Sequence, residues 1–250
     1  MESNKDRIQE LKTNGYTLSF EAVFNLAFEN YKKIVVYAGL LFLVSAFLLG
    51  MLAFVTIAFT YGIENFQELI KPENLNPKNF SDEFLMAYIG SITLFSCLVN
   101  PFFAGIIKMA HCAETDEEFH VSDVFQYYNF KYFKSLFLAT LLITILNMGI
   151  TSVLDLSGIP VLGFLASLAV ALLNALTVPL IIFSDYKALE AINTSFSLVS
   201  KQPLILLGLL AVTYLFCITG IFMFFIGFFF TLPFLYSMYY AIYKSIIDFN

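Results

Sequence analysis

The stretch that decides the fold runs from Val178 to Pro203, VPLIIFSDYKALEAINTSFSLVSKQP. It opens as the end of a long apolar run and passes through Ser184-Asp185. It continues as a mixed polar-apolar pattern and re-enters an apolar run at Pro203. Within it Leu189, Ile192, Phe196 and Val199 recur at i, i+3, i+7 and i+10, while Lys187, Glu190, Asn193 and Ser197 are polar. That spacing predicts a membrane helix, an amphipathic helix on the membrane surface, and the start of the next membrane helix. Ser184 or Asp185 stands where a cap for the surface helix is needed.

Composition supports a lipid solvent. Hydrophobic residues make up 59% and charged residues 13% of the 250, against about a quarter charged in ordinary soluble domains. With a mean hydropathy of +0.80, the chain carries more apolar surface than a soluble core could hide. The formal charge of -6 argues against nucleic acid, which needs a basic face. The single arginine, Arg7, argues against a phosphate-clamping surface. Cys97 and Cys217 lie in apolar runs and Cys112 in a loop, which is no disulfide framework. The polar first 33 residues lead into an apolar run too long for a signal peptide, so no cleaved signal is expected. Trp is absent, which leaves tyrosine to anchor the interfaces.

Six crossings are predicted at about 34–61, 84–110, 135–154, 160–183, 204–220 and 221–244. Residues 1–18 read as a mobile tail and 19–250 as one membrane domain. The fold class is therefore all-α: a polytopic membrane protein of three hairpins, each preceded by a cytoplasmic amphipathic helix. The first surface helix starts at Ser19 and places Phe20, Val23, Phe24, Ala27, Phe28 and Tyr31 on one face. The second starts at Ser122-Asp123, with Val121, Val124, Phe125, Tyr128 and Tyr132 on a face. The third is the opening stretch. Each second crossing contains a proline: Pro101, Pro179 and Pro233.

Orientation follows from charge. Eleven of the 13 Lys and Arg residues fall at the termini, at the surface helices and in the loops beside them; only Lys71 and Lys78 fall on the other side. By the positive-inside rule the N- and C-termini are cytoplasmic.

VPLIIFSDYKALEAINTSFSLVSKQP, followed by an apolar hairpin with TLPFLYSMYYAIYKS, resembles the membrane domain of bacterial glycerophosphodiester phosphodiesterases. It also resembles the stand-alone six-helix membrane proteins related to that domain. The positions that carry the resemblance are Pro179, Asp185, Ala188, Leu189, Ser195 and Pro233. It covers roughly residues 160–247, and the first half by layout only. The acid and metal residues of a phosphodiesterase have no counterpart here. The resemblance implies an architecture and a bacterial inner (plasma) membrane, and no activity.

Chemistry-bearing residues are few. The stretch from His111 to His120 collects His, Cys, Asp and Glu without zinc spacing, and a solvated acidic loop is expected. Asn100, Asn147 and Asn174 lie in apolar runs and act either as interhelical glue or as the lining of a polar cavity. Tyr236, Tyr239, Tyr240 and Tyr243 form either an interface belt or a lipid or ligand face. Gly163, Ser167, Ala171 and Ala175 make a small-residue stripe. Asn79-Phe80-Ser81 fits a glycosylation sequon. No catalytic residue, metal ligand or cofactor is assigned, and Asp185 reads as a helix cap. The expected partners are membrane lipids, with a membrane protein or a second copy of the chain as further candidates. The function expected is non-enzymatic, organising lipids or partner proteins. The alternative is a transporter with a cavity near Asn100 and Asn174.

Overall fold

A computed structural model describes residues 4–62, 71, 80–223 and 225–247. The expectations placed on Pro72, Pro77, Lys78 and Asn79 lie outside these residues. Among the described residues all regular structure is helical. In order it comprises α1 (Asn4–Asn14), α2 (Phe20–Tyr61), α3 (Asp82–Thr115), a 3-10 segment (Val121–Tyr128), α4 (Phe130–Leu156), α5 (Pro160–Leu173), α6 (Thr177–Ser184), α7 (Ala188–Val199), α8 (Pro203–Thr219), a short turn (Gly220–Phe222), α9 (Ile226–Thr231) and α10 (Pro233–Ile247). Six helical spans among these residues are long and apolar enough to cross a membrane: Phe20–Thr60, Asp82–Thr115, Phe130–Leu156, Pro160–Ser184, Pro203–Phe222 and Ile226–Ile247. The chain is a multi-pass membrane protein built as three hairpins. One end of the bundle carries α1, the 3-10 segment and α7, and is called the junction end below. The far end carries the turns at 156–160 and 219–226.

The last crossing is the axis. α10 packs on α1, α2, α3, α6, α8 and α9. Over an 18-residue window, 56% of the last crossing is buried, against 6% of the first. The least apolar crossing is thus the most buried and the most apolar the least. Lipid is as apolar as leucine, so apolar character does not drive a helix inward in a bilayer. Close packing and hydroxyl hydrogen bonds do. α10 accordingly buries Ser237, Ala241, Tyr240 and Tyr243.

The first predicted surface helix is not separate from its crossing, because no Gly or Pro occurs from Phe20 to Ala38 and α2 runs straight through. Ser19 caps it, accepting from the Ala22 amide at 3.3 Å. Its predicted apolar face exists, but its partner is protein. Phe24, Phe28 and Tyr31 set their rings around Phe234, with centroids 5.7, 6.1 and 5.4 Å away.

The N-terminal segment read as mobile is a docked helix. Ile8 on α1 is fully buried, the Tyr16 hydroxyl donates to Leu198 O at 2.8 Å, and Gln202 accepts from the Leu18 amide at 3.1 Å and donates to Tyr16 O. The stretch read as an acidic loop from His111 is also helical as far as Thr115. The second surface element is a 3-10 helix seated on α3. A Cβ at Gly105 would collide with the backbone of Val124. The last hairpin turns over Gly220–Phe225, where Gly220 and Gly227 meet: a Cβ on Gly220 would stand 2.7 Å from the Gly227 backbone. The small-residue stripe on the fourth crossing packs only at its ends. Gly163 lies against Asp155, where a Cβ would be 3.0 Å from Oδ1. Ala175 is buried and Ala171 is exposed.

Candidate functional site at the junction end

The same construction occurs twice at the junction end. The second crossing of unit one ends at Asp116 and that of unit two at Asp185, both left-handed, with φ of 51° and 54°. Asp tolerates this conformation better than most residues. In each case the next amide reaches back into the last turn, Glu117 N to Cys112 O at 3.0 Å and Tyr186 N to Leu180 O at 3.3 Å. Each carboxylate then pairs with a lysine at the junction end of its own unit's first crossing. Lys33 meets Asp116 at 2.7 Å and Lys131 meets Asp185 at 2.9 Å. Asp185 therefore ends the fourth crossing instead of capping the surface helix; the N-cap of α7 is Lys187. The hydrogen bond from Lys131 holds the Asp185 carboxyl below its ordinary range, and the neighbouring charge of Lys108 does the same for Glu117.

A groove opens beside each pair. Groove one, of about 390 Å³, lies between α2 and the end of α3 and is lined by Lys33, Tyr37, Asp116, Glu117, Glu118 and Phe119, among others. Groove two, of about 670 Å³, lies between the start of α4 and the α6–α7 junction. Lys131, Lys134, Lys187, Asp185 and Glu190 stand at its rim, and Leu138, Ile181 and Leu189 form its apolar wall.

Inside the bundle, α3, α6 and α10 converge on a hydrogen-bonded aromatic junction. His111 Nδ1 and the Tyr240 hydroxyl share a hydrogen bond of 2.9 Å, and Ser184 and Tyr243 share one of 2.7 Å. Phe183 lies between them, its ring centroid 5.4 Å from His111 and 5.3 Å from Tyr243. Glu114 stands 4.0 Å from Lys244. An interface belt of tyrosines is not formed. Tyr236, Tyr240 and Tyr243 are buried in the core, and half-buried Tyr239 reaches Tyr214 at 3.4 Å. Hydroxyls need partners in hydrocarbon, and other helices supply them to Tyr239, Tyr240 and Tyr243.

The three asparagines are not brought together by contacts with one another. Asn100 donates to Thr140 Oγ1 at 2.6 Å and so ties α3 to α4. Asn174 donates to Val170 O at 2.8 Å and accepts from Thr177 at 3.2 Å. The Asn147 side-chain oxygen is buried without a hydrogen-bond partner. The proline positions behave differently. Pro101 sits inside α3, whereas Pro233 begins α10. Pro179 follows a break between α5 and α6 at Asn174–Leu176.

That break makes Ser195 the residue that sequence reasoning undervalued. Ser195 is fully buried. Its hydroxyl donates to Leu173 O at 2.6 Å and accepts from the Leu176 amide at 3.1 Å. It thus restores both backbone groups that the break frees, as a broken membrane helix requires. The signal was available: Ala188, Ala191 and Ser195 form a small-residue face on α7, and that is the buried face. The larger Leu189 and Phe196 point outward, 63% and 55% exposed. In the 3-10 segment Val124 and Tyr127 face inward, whereas Val121, Phe125 and Tyr128 face outward.

Among the described residues no three His, Cys, Asp or Glu side chains gather as a metal site. Comparison with protein-family models, with curated proteins and with solved structures found no match to this chain.

Proposed function

We propose that this chain is a non-catalytic protein of the bacterial inner membrane that organises or assists lipids or partner proteins. We place the junction end and both termini in the cytoplasm, and α7 and the 3-10 segment at the surface of that leaflet. The resemblance to the membrane domain of glycerophosphodiester phosphodiesterases belongs to this proposal. One observation carries it: two grooves open at the junction end beside short helices that expose Leu189 and Phe196, and Val121 and Phe125, on their outer sides. Such helices suit the headgroup boundary. Non-catalytic roles account for the ionisable and hydroxyl groups nearby, since His111 and Ser184 are held by tyrosines of α10 and Asp185 by Lys131.

Gentle purification followed by mass spectrometry of what stays bound tests the reading. Lipids or a partner protein should be retained through washing; recovery of neither overturns it. Orientation is tested with single cysteines at Glu117 and Ser157 in a chain whose own three are replaced. A maleimide that cannot cross the membrane should label only Ser157→Cys in intact cells.

The break in the fourth crossing favours a second reading, a transporter of a small molecule or lipid with a cavity near Asn100 and Asn174. Discontinuous helices line the sites of many transporters. Cysteines placed at these two positions should then react with a small aqueous maleimide. Protection of both would end this reading.

A further inference from the structure

We propose that groove two holds the headgroup of an anionic phospholipid from the surrounding leaflet, its phosphate against Lys134 and Lys187 and its chain along Leu138 and Ile181. The inference rests on the lipid-organising reading above and names the lipid class and the site. Its volume of about 670 Å³ lies within the roughly 300–1,000 Å³ of small-molecule sites.

The groove straddles the level where crossings three and four end. Its lower wall is Leu138 and Ile181; its upper rim carries three lysines against two carboxylates. Lys131 is already engaged by Asp185 and by Tyr132, at 2.9 and 3.1 Å. Lys134 and Lys187 are exposed and make no ion pair among the described residues. With Glu190 as the one remaining carboxylate, Lys134 and Lys187 leave the rim net positive above an apolar wall, which suits a phosphate above an acyl chain. Groove one supplies the contrast on the same scaffold: its lining holds a single lysine against three carboxylates, and even with Lys108 paired to Glu117 at 3.5 Å the rim stays net negative. A chain with one arginine lacks a bidentate phosphate clamp, yet lysines bind phosphate as point charges. Basic residues at a membrane surface attract anionic lipid by about 1 kcal/mol each.

The test is native mass spectrometry of the full chain, moved from detergent into mixtures of phosphatidylglycerol and phosphatidylcholine. Detergent has no sidedness, so the result does not depend on the orientation. The wild type should retain phosphatidylglycerol preferentially. Lys134→Gln with Lys187→Gln should lower that retention roughly 30-fold, as loss of two such lysines implies. Lys134→Arg with Lys187→Arg should restore it. Glu117→Gln with Glu118→Gln in groove one should change it by no more than about twofold, the range of peripheral charges. Equal retention of both lipids, or undiminished phosphatidylglycerol in the Gln variant, overturns the inference while leaving a general lipid role standing. Retention of neither lipid overturns both. Displacement by inorganic phosphate would assign the site to a soluble anion, and a lysine-dependent protein in place of lipid would assign it to a partner; each overturns the inference.

Discussion

Grooves one and two share a plan and differ in charge and in how the short helix beside each is fastened. In both, a left-handed aspartate ends the second crossing and pairs with a lysine at the junction end of the first. Groove one lies between α2 and the end of α3, meets at Val121 a 3-10 segment that is pressed onto Gly105, and carries an acidic rim. Groove two is walled by α7, pinned through Ser195 into a broken crossing, and carries a basic rim. The shared parts end each second crossing in the same way. The parts that differ are those on which the proposed lipid preference rests.

The largest expected effect is at the seat of the 3-10 segment beside groove one. Gly105→Val puts a branched side chain where the Val124 backbone lies, and overpacking of this kind costs about 3 kcal/mol. Thermal unfolding in detergent should show a midpoint roughly 6–12 °C lower. An unchanged midpoint would mean that the 3-10 segment is not seated there. Next comes the pin of groove two. Ser195→Ala leaves the Leu176 amide and the Leu173 carbonyl without their partner, for a loss of about 1–3 kcal/mol. Hydrogen exchange should rise at Leu176 and stay level in the 3-10 segment; a rise in both would show that the two seats are not independent.

Smaller again is Tyr240→Phe, which removes the partner of His111 and should cost about 1 kcal/mol. The least effect is expected at the shared ion pairs. Lys131 and Asp185 are both largely exposed, so Asp185→Asn should cost no more than about 0.5 kcal/mol. Its pH dependence has a definite sign. A carboxyl whose folded pKa is depressed stabilises the fold above its unfolded pKa of about 3.9, and loses that contribution as pH falls through the lower folded value. Acid titration of the wild type should show this loss, and Asp185→Asn should flatten it.

The six crossings were legible because hydropathy reports length in hydrocarbon, and the final hairpin because two glycines interrupt a run otherwise too long for one span. What lay inward was not. The spacing of Leu189, Ile192, Phe196 and Val199 marks one apolar face, but only Leu189 and Phe196 point outward; Ile192 is half-buried, and Val199 is buried with Ala188, Ala191 and Ser195. The tyrosines of α10 misled because a hydroxyl in hydrocarbon seeks another helix before it seeks the interface. α1 escaped because Ile8 and Leu11 alone are too few for a periodic signal among charges. The role of Asp185 depends on φ and on Lys131, a residue of the other arm of its hairpin, and neither is written in its neighbours. Asp116 offered the clue, as a second aspartate just past a proline-bearing crossing.

The central claim is that one of two similar grooves is built for an anionic lipid. A photo-activatable residue at Leu138 in groove two, and separately at Tyr37 in groove one, addresses it in vesicles of mixed phosphatidylglycerol and phosphatidylcholine. Phosphatidylglycerol adducts should form at Leu138 roughly 10-fold more than at Tyr37, the ratio that about 1.4 kcal/mol of preference gives. Equal yields at the two positions, or adducts that follow the bulk lipid ratio at Leu138, would contradict it.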